Sequence, residues 1–508
     1  MSSRGSRWES IHDQPHSIAL LVAGFTVLRL LLAATLPLLP EEAYYWSWSR
    51  HLAWSYFDHP PLATYSIALT TAIFGQTVFG IKAAAVLWSL GWNLLWARLI
   101  LDMYADRRLA FWTLAALNLT VMYEAFGIGP TPDSPLFFAW TGAIWSVWRM
   151  SHSGDGRWWF AAGAFVGLSW LAKYSGVLLL PIVFLYLLTS ARQRHWLRKP
   201  QPYLAVLLAA AIFSPVLVWN AQHDWASLAF QGSRRVGEMG GFKPRYFVVL
   251  VATQFLMLTP YLFVVAIGAL VRGAREWFAG RPEDRERLLL LSAAVPIALF
   301  TLISFRSLVK FNWMASAYWS LLILGVRHVL ALDGGVQRLL RGLASSAAIL
   351  LVAGVAVSIP NLPVAGDLNT WSGWDTAAAR VEKVAASARA EGHEVFVFSP
   401  GYRVSSMIRF YLPRQPRTYA QDIYGDTALQ FDYFPLDTDL KGATGILVLS
   451  DQDRKGLDLA RVKARFDSVE LADIIEAEAF GRVTRRIEIY RCSNYKGHPR
   501  WRAANALP

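Results

Sequence analysis

Cysteine is almost missing from this chain: Cys492 is the only one in 508 residues. That excludes an intrachain disulfide framework. Charge is scarce too. Asp, Glu, Lys and Arg make up 17% of the sequence, against roughly 25% in soluble domains. No glycine-rich phosphate loop follows a strand, so no nucleotide-sugar site is expected. No second histidine stands at ligand spacing from His59, which argues against a metal there. Repeated halves, common in secondary transporters, are not visible.

Long apolar blocks take the place of the missing charge. The chain is 55% hydrophobic with a mean hydropathy of +0.32, the composition of a multi-span membrane protein. Spans are expected near Ile18–Leu36, Ile81–Leu101, Leu109–Gly127, Leu136–Val147, Trp158–Ala172, Gly176–Leu188, Tyr203–Trp219, Tyr246–Val271, Leu288–Ser304, Trp313–Gly325 and Leu343–Ile359. The run Ala63–Phe74 is too short to span and reads as a shallow or re-entrant helix. Arg4 and Arg7 precede the first run without a small-residue cleavage site, so that run is read as a retained helix.

The net charge of +13 does not point to nucleic acid, because the basic residues lie in short loops between apolar blocks. With the N-terminus inside, the inner loops hold Arg98, Arg107, Arg108, Arg149, Arg157, Arg192, Arg194, Arg198, Lys199, Arg272, Arg275, Arg281, Arg285, Arg287, Arg327, Arg338 and Arg341. This is the positive-inside pattern of a membrane protein. The outer face collects Glu41, Asp58, His59, Asp133, Lys173, Arg234, Arg235, Lys243, Arg245, Arg306 and Lys310.

Composition changes after Pro360. Val395–Phe398, Ile446–Leu449 and Ile487–Tyr490 read as strands, and Thr376–Ala390 as a helix ended by Gly392. Two domains follow: a membrane domain over 1–360, with a first outer loop at about 37–80, and a soluble α/β domain over 361–508, outside the membrane.

The densest chemistry lies in PEEAYYWSWSRHLAWSYFDHPPL, residues 40–62. Ionisable groups among so many aromatics suit a sugar-handling or proton-transferring site. Pro40 starts a helix, and Glu41 and Glu42 in its first turn complement the dipole. Equally, Glu41 shares a face with Tyr45 and Trp48, so one glutamate can face a pocket as a general base. Asp58 and His59 precede two prolines that stiffen their turn. Asp133, in GPTPDSP, either caps the next span or sits on a fixed loop over a site. Lys173 interrupts an apolar region. Cations on an outer face snorkel to the interface, or hold an anion such as a lipid-linked phosphate.

Together EEAYYWSWSRHLAWSYFDHPPL, GPTPDSPLFFAW, GLSWLAKYSGVLLL and PVLVWNAQHDWASLAFQ resemble bacterial members of glycosyltransferase family 39. These are relatives of protein O-mannosyltransferases and lipid A aminoarabinose transferases. The resemblance implies the GT-C fold, an α-helical polytopic architecture of about 11–13 spans with a C-terminal soluble α/β periplasmic domain. It further implies a bacterial inner-membrane enzyme with a periplasmic site and no metal or other cofactor. Its reaction is transfer of a sugar from a polyprenyl-phosphate carrier, with inversion, to a glycolipid, polysaccharide or protein. Glu41 falls on a position commonly Asp in relatives, followed by Glu as Glu42 follows here. Asp58 and His59 fall where aminoarabinose transferases have Glu and Lys. Asp133 falls on the acid of the second outer loop, and Lys173 on the family's lysine after the fifth span. Glu41, Glu42, Asp58 and Asp133 are thus the expected catalytic group. His59, Lys173, Tyr45, Arg234, Arg235, Lys243, Arg306 and Lys310 are the expected substrate-binding residues. Competing readings are a flippase or transporter for lipid-linked sugars, which would place ionisable groups deep in the spans, and an inactive assembly protein.

Overall fold

A computed structural model describes residues 14–234, 240–280, 282–359, 362, 371–435, 439–451, 459–479 and 481–497. The membrane half is helical: α1 Ser17–Thr35, α2 Pro40–Ser49, α3 Leu62–Phe74, α4 Val78–Tyr104, α5 Arg107–Asn118, α6 Val121–Ile128, α7 Asp133–Ser153, α8 Trp158–Ala172, α9 Leu179–Thr189, α10 Gln201–Gln222, α11 Pro244–Leu258, α12 Pro260–Phe278, α13 Asp284–Ser304, α14 Ala315–Leu330 and α15 Gly335–Ser358. Every apolar run expected to span lies on helix. Among the described residues, 5 helices are long and apolar enough to cross a membrane, or up to 7 if each of two bent pairs is one span. Large side chains such as Leu20, Leu207, Val264, Leu302 and Leu351 stay exposed. On a helix whose backbone is internally satisfied, such a surface belongs against lipid.

Two expected spans are corrected. The run Leu109–Gly127 is broken between α5 and α6 by 74°. Thr120 stops the first helix and caps the second, its hydroxyl accepting from Tyr123 N at 3.1 Å. The run Tyr246–Val271 is bent by 114° between α11 and α12. There Thr259 takes a left-handed φ of 67°, and Pro260 has no N–H to continue a ladder.

Beyond 370 the chain forms α16 Trp374–Ala390, α17 Tyr402–Tyr411 and a sheet of β1 Val395–Phe398, β2 Thr418–Tyr419, β3 Thr444–Ser450, β4 Ser468–Ala479 and β5 Arg482–Ser493. Strand order is β2-β1-β3-β5-β4. β1 pairs in parallel with β2 and β3, while β5 pairs antiparallel with both β3 and β4. The expected strands and helix are all there. The boundary expected at 360/361 lies outside the described residues. One apolar core joins this sheet unit to the first outer loop: Tyr44, Trp46 and Trp48 of α2 pack with Val404, Met407 and Ile408 of α17 and with Phe431. Helix α2 is therefore enclosed on both sides, by α17 and by α3.

Candidate active site

The first turn of α2 separates its two glutamates. Glu42 is buried, with Lys82 Nζ of α4 at 2.7 Å from both carboxylate oxygens. It also accepts from Leu39 N at 2.9 Å, closing the helix N-terminus. Gly129 lies so close that an added Cβ would stand 3.2 Å from Glu42 Oε1. Glu42 thus anchors α2 to α4 and the second outer loop. Glu41 turns the other way, half-exposed. Arg403 of α17 donates to its Oε1 from two nitrogens at 3.0 and 2.6 Å, and Tyr402 OH lies 3.4 Å from the same oxygen. Among the described residues Oε2 has no such partner, so one oxygen is clamped and the other is not.

Three of the four expected acids, Glu41, Asp58 and Asp133, act on Tyr45, and Glu42 does not. Burial first, then the charges of Glu41 and Asp58, with Tyr402 and Asp133 adding, push the Tyr45 hydroxyl well above its ordinary pKa. The His59 ring lies 6.2 Å from that of Tyr45. Asp58 Oδ2 accepts from Tyr44 OH at 2.6 Å. Burial and Asp58 keep the Tyr44 phenol protonated, so it donates to the carboxylate while accepting from Gln430 N at 3.1 Å. Gln231 Nε2 holds the Asp58 carbonyl at 2.6 Å.

Asp133 opens α7 and is buried. Lys173 Nζ donates to its Oδ1 at 2.8 Å, and Asn312 Nδ2 to its Oδ2 at 2.7 Å. One carboxylate therefore ties the second outer loop, the end of α8 and the loop entering α14. Lys173 keeps two further N–H donors. Lys310 is exposed two residues before Asn312. Lys243 donates its backbone N–H to the Phe305 carbonyl at 2.6 Å, beside exposed Arg306, and its Nζ lies over the Tyr246 ring. No hydrogen bond or ion pair joins either of these to Asp133 among the described residues. The turn Phe230–Arg234 starts beside Asp58, since Phe57 and Phe230 rings stand 4.8 Å apart. The side chain of Arg234 and the whole of Arg235 lie outside the described residues.

The sequence reading missed Lys82, Arg403, Tyr402 and Gln430. It also missed Arg29 of α1, which donates to Glu124 Oε1 at 2.9 Å and to Asn118 Oδ1 at 2.6 Å across the α5–α6 break. Ionisable groups are therefore not confined to one face. For Lys82 and Arg29 a signal existed: a cation inside an apolar run demands a partner. For Arg403 and Gln430 no local signal exists. Gln430 Oε1 accepts from Phe57 N at 2.7 Å across 373 residues of sequence. Gln430→Ala orphans that buried donor, a penalty of about 1–3 kcal/mol. Hydrogen exchange at the Phe57 amide is expected to quicken by roughly tenfold or more, read on a peptide covering 54–62. Unchanged exchange would show that the clamp does not hold this loop.

A bundle of broken and whole spans, with a first outer loop enclosed by a terminal sheet unit, is the GT-C architecture. The crystal structure of ArnT from Cupriavidus metallidurans bound to undecaprenyl phosphate superimposes with a TM-score of 0.61 at 15% identity, over 94% of this chain and 98% of that one. A family profile described as dolichyl-phosphate-mannose-protein mannosyltransferase matches residues 58–219. The lipid A galacturonosyltransferase RgtD of Rhizobium johnstonii is 27% identical over 322 residues, 61% of this chain and 65% of that relative. The undecaprenyl phosphate-alpha-4-amino-4-deoxy-L-arabinose arabinosyl transferase of Pseudomonas savastanoi is 29% identical over 230 residues, 40% of this chain and 42% of that relative. The chain therefore shares the GT-C fold of ArnT, and part of it is similar to glycosyltransferases named for lipid A and undecaprenyl-phosphate sugars.

Proposed function

We propose that this protein is an inverting glycosyltransferase of the bacterial inner membrane, moving a sugar from a polyprenyl-phosphate carrier to a hydroxyl of a glycolipid of the lipid A class. The carrying observation is the set of held carboxylates at and beside α2: Glu41 clamped by Arg403, Asp58 by Tyr44, and the Asp133–Lys173 pair. The names of the two relatives support the donor and acceptor classes, as does the undecaprenyl phosphate bound by ArnT. The basic inner loops support a periplasmic site and a periplasmic sheet unit. In this reading the membrane domain covers 1–360 and the soluble domain 361–508.

The chemistry follows from the groups present. The acceptor oxygen attacks the anomeric carbon from the face opposite the phosphate. The bond from that carbon to the phosphate oxygen breaks, and polyprenyl phosphate leaves with the electron pair. Glu41 takes the acceptor proton on Oε2, while Arg403 and Tyr402 hold Oε1. Lys173, fixed by Asp133, turns its spare donors to the leaving phosphate. His59, Arg234 and Arg235 add cationic or hydrogen-bonding partners there. Asp58, braced by Tyr44, orients the acceptor. Glu42 holds α2 in place, and first-loop aromatics stack on sugar and lipid.

The test incubates purified protein with radiolabelled undecaprenyl-phosphate sugars and a membrane lipid extract, then separates glycolipid, polysaccharide and protein. Label is expected in the glycolipid. Label in another fraction would correct the acceptor. Label that stays on the carrier but crosses between leaflets would replace the enzyme with a flippase, the reading favoured by the buried Arg29–Glu124 pair.

A further inference from the structure

The seam between α2 and the C-terminal unit buries a guanidinium that, among the described residues, faces no carboxylate. Arg409, on α17, is 5% exposed. Among the described residues its terminal nitrogens reach His51 Nε2, at 3.4 Å. Its plane lies over the Trp46 ring, 5.6 Å from the centroid. Its Nε has no hydrogen-bond partner among the described residues. Burial first, then the cations Arg50 and Arg417, against an opposing contribution from Tyr419, pull its pKa down to about 10. Arg417 is itself held by the Pro435 carbonyl.

Three other buried cations each meet a carboxylate: Arg29 meets Glu124, Lys82 meets Glu42 and Lys173 meets Asp133. Arginine does not escape its charge by deprotonation near neutral pH. A desolvated guanidinium beside like charges is costly unless a negative charge completes the group.

We propose that Arg409, Arg50, Arg417 and His51 form a seat for a phosphate-class anion between the first outer loop and the C-terminal unit. The seat is distinct from the reacting centre. At helical spacing Trp46 and Arg50 stand on the opposite face of α2 from Glu41, Tyr45 and Trp48. Exposed Arg50 at the end of α2 opens it to the surface. Next to it Leu52 and Trp54 are 63% and 61% exposed, an apolar lip on which the tails of a lipid can rest. A guanidinium fork suits phosphate oxygens. The phosphate belongs either to a free ion or to a lipid headgroup.

The test measures thermal unfolding of the full chain and needs no sugar transfer, so it stands apart from the proposed activity. One arm compares inorganic phosphate with chloride at equal ionic strength in neutral detergent. The other compares nanodiscs of phosphatidylcholine with and without phosphatidic acid. An anion that binds only the folded state raises its unfolding temperature. Wild type is expected to gain several degrees from phosphate, phosphatidic acid or both. Phosphate acting alone assigns a free ion, and phosphatidic acid acting alone assigns a headgroup. Arg409→Met is expected to lose the gain and, in chloride, to unfold no earlier than wild type, because it removes an uncompensated charge. Arg50→Gln, at an exposed position, leaves the fold intact and is expected to weaken the response. No gain for wild type in either arm, or a full gain retained by Arg409→Met or Arg50→Gln, overturns the proposal.

Discussion

Glu41→Gln is expected to lower kcat for sugar transfer by about 10²–10⁴-fold, the usual contribution of a positioned general base. The side chain is nearly isosteric and half-exposed, so the unfolding temperature should stay close to that of wild type. What the variant loses is the capacity to take a proton on the oxygen that Arg403 and Tyr402 leave open. Because a glutamine oxygen still accepts from Arg403, the geometry survives and KM should change little. A kcat within tenfold of wild type would mean that the acceptor arrives already as an anion, and that Glu41 only positions it. Arg403→Ala separates clamp from base: it leaves the carboxylate but frees its rotamer, and a smaller fall in kcat is expected. The two variants together ask whether the C-terminal unit takes part in the reaction or only covers it.

The first outer loop was legible in the sequence because its composition is extreme. Carboxylates, a histidine and aromatics stand together between two apolar runs, and in the structure Glu41 and Asp58 act on Tyr45 while Glu42 turns to Lys82. The spans were legible through hydropathy, and the terminal strands through short β-branched and aromatic runs. The breaks were not. Neither Thr120 nor the Thr259–Pro260 pair interrupts the apolar pattern, and hydropathy does not sense direction. Glu42 shows a different limit. Sequence spacing placed it one residue from Glu41, but only the packing of α4 against α2 decides that it faces Lys82. Arg403 and Gln430 lie hundreds of residues from their partners, and a contact of that range leaves no trace in local periodicity.

The Lys82–Glu42 pair carries the largest expected effect on stability. Both side chains are 2% exposed, and the ammonium meets both oxygens at 2.7 Å. Removing one partner of such a pair leaves a buried charge without compensation, at about 3–5 kcal/mol. Lys82→Met should therefore unfold far below wild type in detergent, and its transfer rate should fall as α2 loosens. The energy lies in the unpaired charge rather than in the attraction itself, since desolvation offsets most of that attraction. Adding Glu42→Gln to Lys82→Met is thus expected to recover much of the lost stability. The Leu39 N–H keeps an acceptor in the amide oxygen, so the helix start is preserved. Activity separates two roles for Glu42. If the double variant regains transfer along with stability, Glu42 serves only to pin α2. If stability returns without transfer, the Glu42 charge acts in the reaction as well. A Lys82→Met protein as stable as wild type would instead mean that water reaches the pair, and that α2 is held by its aromatic packing alone.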